Sequence, residues 1–451
     1  MTKLKFLFLL LILGMFCVTT VPITAQENSV SSQASLSLQD CIQIALQNKA
    51  DVRIARDQMR IAGAQRQAAW GAYLPSLSFS LRGSQTEQGV GRRFFSGIEF
   101  TAPASRREYY SSGLSLNQPL FTGGRLLNAK KYADLNYDQA QVGYEATREQ
   151  VILDVTNAYF EVLRSREFVR VYEQTLESSE AQVELVQERY NLGAVAQSDV
   201  FKAQTRAGND RINLLQQQNT LSLRKRNLNL VMGRDPSAAV VLPDFNYAPP
   251  EIPDMEQAKQ QALQANRDLA QYQLDVQKSR ANLAIARSNL LPSLNAFMGY
   301  DRTGFSMQDL YKDFDLNWSY SFGVQVSVPI FNNFQNRTRV DTRRLENSIA
   351  RQRYQDARLA IEMQAENLIQ QLETYREIIA LNEINLNSAE EDLRLARERY
   401  NIGQATLLDV LDAQAALTNA RRILVYTKFD AKTQEAQLEA LLGELINKAQ
   451  E

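Results

Sequence analysis

Asn317-Trp318-Ser319-Tyr320-Ser321-Phe322-Gly323-Val324-Gln325-Val326-Ser327-Val328-Pro329-Ile330 is the stretch that decides the fold. At every second position Trp318, Tyr320, Phe322, Val324, Val326, Val328 and Ile330 build an apolar ladder, and the residues between them are small or polar. A two-residue period of this kind is a strand with one apolar and one polar face. Leu77, Phe79 and Leu81 alternate with Ser76, Ser78 and Ser80 in the same way, and Leu294, Ala296, Met298 and Tyr300 form a weaker partner. Residues 109–121 supply a fourth strand through Leu114, Leu116 and Leu120. Strands of roughly 9–11 residues with such faces are what a membrane barrel requires. A soluble hairpin half-buried on helices is the alternative, but Trp318 and Tyr320 sit at one end of the apolar face, as an interfacial aromatic pair does. The loops 84–107 and 305–315 would then face outside, with Arg92-Arg93-Phe94-Phe95 as surface residues. Four strands cannot close a barrel, and an open edge in lipid leaves backbone groups unsatisfied at several kcal/mol each. The barrel must therefore be shared among chains, with eight strands from two copies or twelve from three.

Beyond each strand pair the period changes to that of a helix. Val151, Val155, Ala158, Val162, Ser165, Val169, Tyr172, Leu176, Ser179, Val183, Val186 and Tyr190 alternate spacings of four and three. Ile361, Ala365, Leu368, Leu372, Tyr375, Ile379, Asn382, Leu386, Ala389, Leu393, Ala396 and Tyr400 repeat the pattern, and a third seam runs from Val410 to Leu441. No proline occurs from 120 to 235 or from 330 to 451, so these runs can be unbroken coiled-coil helix. A helix from about 123 to 191 would be roughly 100 Å long.

The chain is one unit written twice. Leu74-Pro75-Ser76-Leu77 recurs as Leu291-Pro292-Ser293-Leu294, 217 residues on. Glu188-Arg189-Tyr190-Asn191-Leu192-Gly193 recurs as Glu398-Arg399-Tyr400-Asn401-Ile402-Gly403 at an offset of 210, and 188–204 against 398–414 gives nine identities in 17 positions. The organisation expected is a signal peptide over 1–25 and a first repeat over 26–235, holding a helix, a strand hairpin 76–121, a long helix 123–191 and a return helix 198–233. A proline-rich linker 236–254 leads to a second repeat over 255–451, with a helix, a hairpin 293–331, a long helix 333–401 and a return helix 406–448.

Composition narrows the chemistry. The chain has 451 residues, 50 Lys+Arg against 51 Asp+Glu, and no histidine. Triads, histidine general bases and histidine metal sites are therefore excluded, and no basic excess argues for nucleic acid. The two cysteines, Cys17 and Cys41, cannot make a cysteine-rich metal centre, no P-loop or glycine-rich fingerprint appears, and no cofactor is expected. Lys3 and Lys5 precede the apolar run Phe6–Phe16, and Ile23-Thr24-Ala25 ends in a small residue, the pattern of a cleaved export signal. That run is too short to anchor the chain as a membrane helix, and the bulky Phe16 argues against lipidation at Cys17.

With these marks in place, the chain resembles the TolC-like outer membrane efflux proteins over essentially its whole mature length. The duplicated halves, the Leu-Pro-Ser-Leu opening of each hairpin, the exits at Pro119-Leu120-Phe121 and Pro329-Ile330-Phe331, and the Arg-Tyr-x-x-Gly turns carry the resemblance. It implies a mainly α fold with a transmembrane β segment. Four strands per chain would join a 12-stranded homotrimeric barrel, continued by a long periplasmic α-helical barrel. It also implies an exit duct in the outer membrane, serving a periplasmic adaptor protein and an inner-membrane transporter. A periplasmic coiled-coil adaptor or scaffold without a barrel is the alternative.

Gly193 and Gly403 suit the left-handed position that stops a helix. Asp409 and Asp412 lie within a turn or so of the tunnel's far mouth, three apart and on one helix face, and three chains would place six carboxylates around one axis. Thr406-Leu407-Leu408-Asp409 also reads as a capping box. By resemblance Asp409 and Asp412 match paired aspartates at the periplasmic mouth, and Tyr400 and Asp199 match positions whose cross-links hold that mouth shut. Ala405 stands where some members have an arginine, and Lys202 occupies the first-copy counterpart of Asp412. Tyr190 ends its seam and is expected to pack in the core.

Overall fold

The computed structural model describes residues 35–448. The export signal and Cys17 lie outside the described residues. In chain order the elements are α1 (Leu38–Asn48), α2 (Ala50–Gly71), β1 (Ser76–Gln88), β2 (Gly91–Phe95), β3 (Ile98–Ala102), β4 (Ser105–Phe121), α3 (Arg125–Asn191) and α4 (Gln197–Val231). The second half runs α5 (Met255–Ala265), α6 (Arg267–Ser288), β5 (Ser293–Gly304), a 3-10 turn (Met307–Leu310), β6 (Trp318–Ser327), α7 (Gln335–Asn401), α8 (Leu407–Leu441) and α9 (Leu445–Lys448).

The duplication is visible in lengths: α3 and α7 each have 67 residues, and α4 and α8 each have 35. At 1.5 Å per residue, α3 and α7 span about 100 Å. Their seams are mostly buried: Val151, Val155, Ala158, Val162, Ser165 and Val169 in α3, and Ile361, Ala365, Leu368 and Leu372 in α7. Near the middle of α3 a core forms from Ile152, Tyr159, Phe160 and Leu163 with Cys41 and Ile42 of α1, Val240 and Leu242 of the 236–254 segment, and Phe429 of α8.

The strands form an antiparallel sheet in the order β1–β4–β5–β6. Its register aligns Phe79, Leu114, Tyr300 and Tyr320 in one row, and Leu77, Leu116, Met298 and Phe322 in another. The opposite face carries the rows Ser78–Ser115–Gly299–Ser321 and Ser80–Gly113–Asp301–Ser319. The apolar face is open in the single chain: Phe79 is 70% exposed and Phe322 76%. Neither β1 nor β6 has a second strand neighbour among the described residues. No helix of the described residues is long and apolar enough to cross a membrane.

Several expectations are corrected. The stretch 84–107 is not a plain loop, because β1 runs to Gln88, β4 begins at Ser105, and β2 and β3 pair between them as a hairpin. Its two-residue turn, Ser96-Gly97, has both φ values positive (50° and 82°), the geometry that suits the twist of paired strands. β6 ends at Ser327, short of Val328 and Ile330. The helix before each hairpin is two helices, broken at Lys49 and Asn266 by single extended residues. The return helix does not run from 406 to 448: it stops at Leu441, turns at Gly443 with φ +70°, and resumes as α9.

Candidate gate at the helix tips

The tips are made by two matching reversals. Gly193 has φ +74° and Gly403 φ +77°. Around them the Ala194 N–H donates to the Arg189 carbonyl and the Gly193 N–H to that of Tyr190, repeated by Gln404 to Arg399 and Gly403 to Tyr400. This paired pattern satisfies the last carbonyls of each long helix, and it requires a left-handed residue that glycine supplies without strain. The same closure recurs at the far ends of α4 and α8, at Gly233 and Gly443.

Beyond the second tip, the Asp409 carboxylate accepts the Thr406 N–H at 2.7 Å and the Thr406 hydroxyl at 2.8 Å, and the Asp409 N–H returns to Thr406 Oγ1 at 3.3 Å. Those bonds, the backbone one foremost, hold the Asp409 carboxyl below the usual 3.8. Asp409 caps α8 and yet is exposed, as is Asp412. In the first copy Asp199 is half-buried and takes an ion pair from Lys202 at 3.0 Å.

The two tyrosines diverge. Tyr400 is 5% exposed and packs with Val186, Val200, Leu393, Leu407 and Val410. Burial pushes its phenol upward, against the opposing pull of Arg189. Its hydroxyl is buried with no hydrogen-bond partner among the described residues. Tyr190, expected in the core, is 38% exposed. The difference follows from packing: Tyr400 joins a cluster drawn from both hairpins of the chain, and Tyr190 is not part of it.

Arg189 was not singled out from the sequence. It lies over the Tyr400 ring at 4.6 Å and donates to the Tyr400 carbonyl at 2.9 Å and to the Asn401 carbonyl and side-chain oxygen at 3.1 Å. The tip of one hairpin is thus clamped to the tip of the other through main-chain oxygens that no pattern of side chains announces. The Arg-Tyr pair repeated in both turns was the available signal.

A sheet with one lipid-compatible face, set at the head of paired hairpins about 100 Å long that end in matched turns, defines an outer membrane channel of the exit-duct class. The chain belongs to the outer membrane efflux protein family, whose profile matches residues 41–234 and again 258–444. It is 26% identical over 407 residues to the outer membrane protein TolC of Vibrio cholerae, covering 86% of this chain and 88% of that one. It is 23% identical over 415 residues to the toluene efflux pump outer membrane protein TtgC of Pseudomonas putida, covering 90% and 83%. The crystal structure of the Campylobacter jejuni CmeC outer membrane channel superposes with a TM-score of 0.79 at 18% identity, over 95% of this chain and 94% of that one. The barrel-free adaptor is set aside by this membership and by the apolar rows of the sheet.

Proposed function

We propose that three copies close one 12-stranded barrel, β6 of each pairing with β1 of the next, above a continuous helical tunnel. The observation that carries this reading is the sheet itself: its apolar face is bare and both of its edges are open. An unpaired edge in hydrocarbon costs several kcal/mol per group, and closure through symmetry removes it. The duct is passive and performs no chemistry; an inner-membrane transporter and its periplasmic adaptor supply energy and cargo. The helix tips form its gate, held shut by the Arg189 clamp on Tyr400 and Asn401 and ringed by Asp409 and Asp412. Asp199 and Tyr400, whose phenol lacks a hydrogen-bond partner among the described residues, supply further contacts around that mouth.

The test is ion conduction through the reconstituted channel. Six carboxylates near one axis make it cation-selective and let multivalent cations block it from the periplasmic side. Asp409→Ala with Asp412→Ala should relieve the block at least ten-fold in half-blocking concentration. An unchanged block would place the constriction elsewhere.

A further inference from the structure

Between the tip and the central core, the contact between the two hairpins is interrupted by a buried polar layer. Ser179 of α3, Asp210 of α4 and Gln414 of α8 meet there, each 2–3% exposed in the single chain. The Ser179 hydroxyl donates to the Asp210 carboxylate. Gln414 Nε2 donates to Ser179 Oγ at 2.9 Å and to the Thr175 carbonyl at 3.2 Å. Arg206 closes on Asp210 at 3.1 Å from the solvent side. One turn from Ser179, Thr175 Oγ1 lies 3.1 Å from Thr418 Oγ1.

The layer has apolar neighbours on both sides. Toward the tip lie Val186, Val200, Leu393 and Val410, and toward the centre Phe160 packs near Phe429. Apolar contacts alone tolerate sliding, because one helix turn past another offers a similar surface. A hydrogen-bonded layer does not: an offset of one turn strands a carboxylate and an amide in a dry interface, at ~1–3 kcal/mol for each unmet neutral group and more for a charge. Fixing register is the best-attested use of a polar residue buried in a helix seam. The layer is also incompletely satisfied, since Gln414 Oε1 is buried without a partner among the described residues. It therefore gives direction at a cost in stability.

We propose that Ser179, Asp210 and Gln414 form a register pin that sets how α8 lies against α3, and thereby where Asp409 and Asp412 stand in the closed mouth. Ser179 lies 14 residues before Gly193, about 20 Å up the helix, so a small shift at the pin moves the whole tip. This rests on the tip gate proposed above and adds a positioning element remote from it.

The test uses the full chain reconstituted in planar bilayers. Ser179→Ala, Asp210→Leu and Gln414→Leu together make the layer apolar. Such a replacement is often neutral or stabilising, so the triple variant should melt no lower than the native protein. Its mean conductance should nonetheless rise at least two-fold, whereas Ser179→Thr, which keeps the hydroxyl, stays native. Register is read directly with Thr175→Cys and Thr418→Cys under diamide, Cys41 being buried; cross-linking should slow at least five-fold in the triple-variant background. Either readout remaining native overturns the pin. Should the triple variant fail to assemble, Gln414→Ala alone removes the two bonds that Gln414 makes to α3 and carries the same two readouts. Arg189→Ser serves as the control that loosens the tip itself. If it opens the channel and the apolar layer does not, the gate stands and the pin falls. A native channel already conducting at the control's level removes gate and pin together.

Discussion

Val324→Lys puts a charge on the face assigned to lipid. Val324 is 58% exposed in the single chain and pairs with Ala296 in the apolar row of β5 and β6. It lies six residues from Trp318, about 20 Å along the strand and, at a tilt of about 40°, about 15 Å along the membrane normal. That is half the thickness of a ~30 Å hydrocarbon core. Lysine near the midplane of a barrel's outer face costs ~2–4 kcal/mol, a factor of roughly 30 to 700 in the folding equilibrium of each chain. Gln325→Lys is the control: Gln325 pairs with Asn295 on the opposite face, where the charge meets water and the change should stay within ~0.5 kcal/mol. Folding into phosphatidylcholine vesicles, followed against urea by protease resistance, compares the two. Equal stabilities, or a larger loss for Gln325→Lys, would refute the assignment of faces on which the barrel depends.

At the tips, Gly403→Ala should cost ~1–2 kcal/mol in thermal unfolding, because φ is +77° and a Cβ meets nothing within 4 Å, leaving backbone strain alone. Gly233→Ala should cost more, since its Cβ would also come within 3.1 Å of the Asn48 carbonyl carbon. Phe160→Ala empties a site packed by Phe245 at 5.7 Å and Phe429 at 6.4 Å, and should cost ~3–5 kcal/mol by the same measurement. Thr406 holds the Asp409 carboxyl below its ordinary value, so the cap stabilises the fold above that value and its contribution fades as pH falls through the lower, folded one. Thr406→Val removes the hydroxyl donor and keeps the N–H, so the pH at which Asp409 loses its charge should move upward, toward 3.8; carboxylate titration by carbon-13 resonance checks the direction.

The parts legible in the sequence share one property: a period long enough to repeat. The ladder from Trp318 and the seams of α3 and α7 each run many periods, and the duplication prints them twice. What escaped depends on single residues. Lys49 breaks its helix with an extended ψ of 128° and offers no side-chain cap, so nothing in its type marks the break. Asn266 does cap the following helix, through Leu269 N–H, but asparagine is common enough that the signal is weak alone. The turn at Gly443 stands 210 residues after Gly233, and the internal repeat carried that information. At the gate, the glycines and the Thr406–Asp409 cap are local and readable. The Arg189 clamp and the Ser179–Asp210–Gln414 layer are not: Ser179 stands in the α3 seam, but Arg189, Asp210 and Gln414 lie off the seams read from the sequence. Polar residues off a seam look like solvent residues until the partner helix is in place.

The central claim is that several chains pool four strands each into one wall that touches lipid. Mass measurement of the purified protein, with and without detergent, addresses it most directly. Three copies per particle in detergent, and precipitation once detergent is withdrawn, are the expected results. A single chain that stays dissolved in plain buffer would contradict the account.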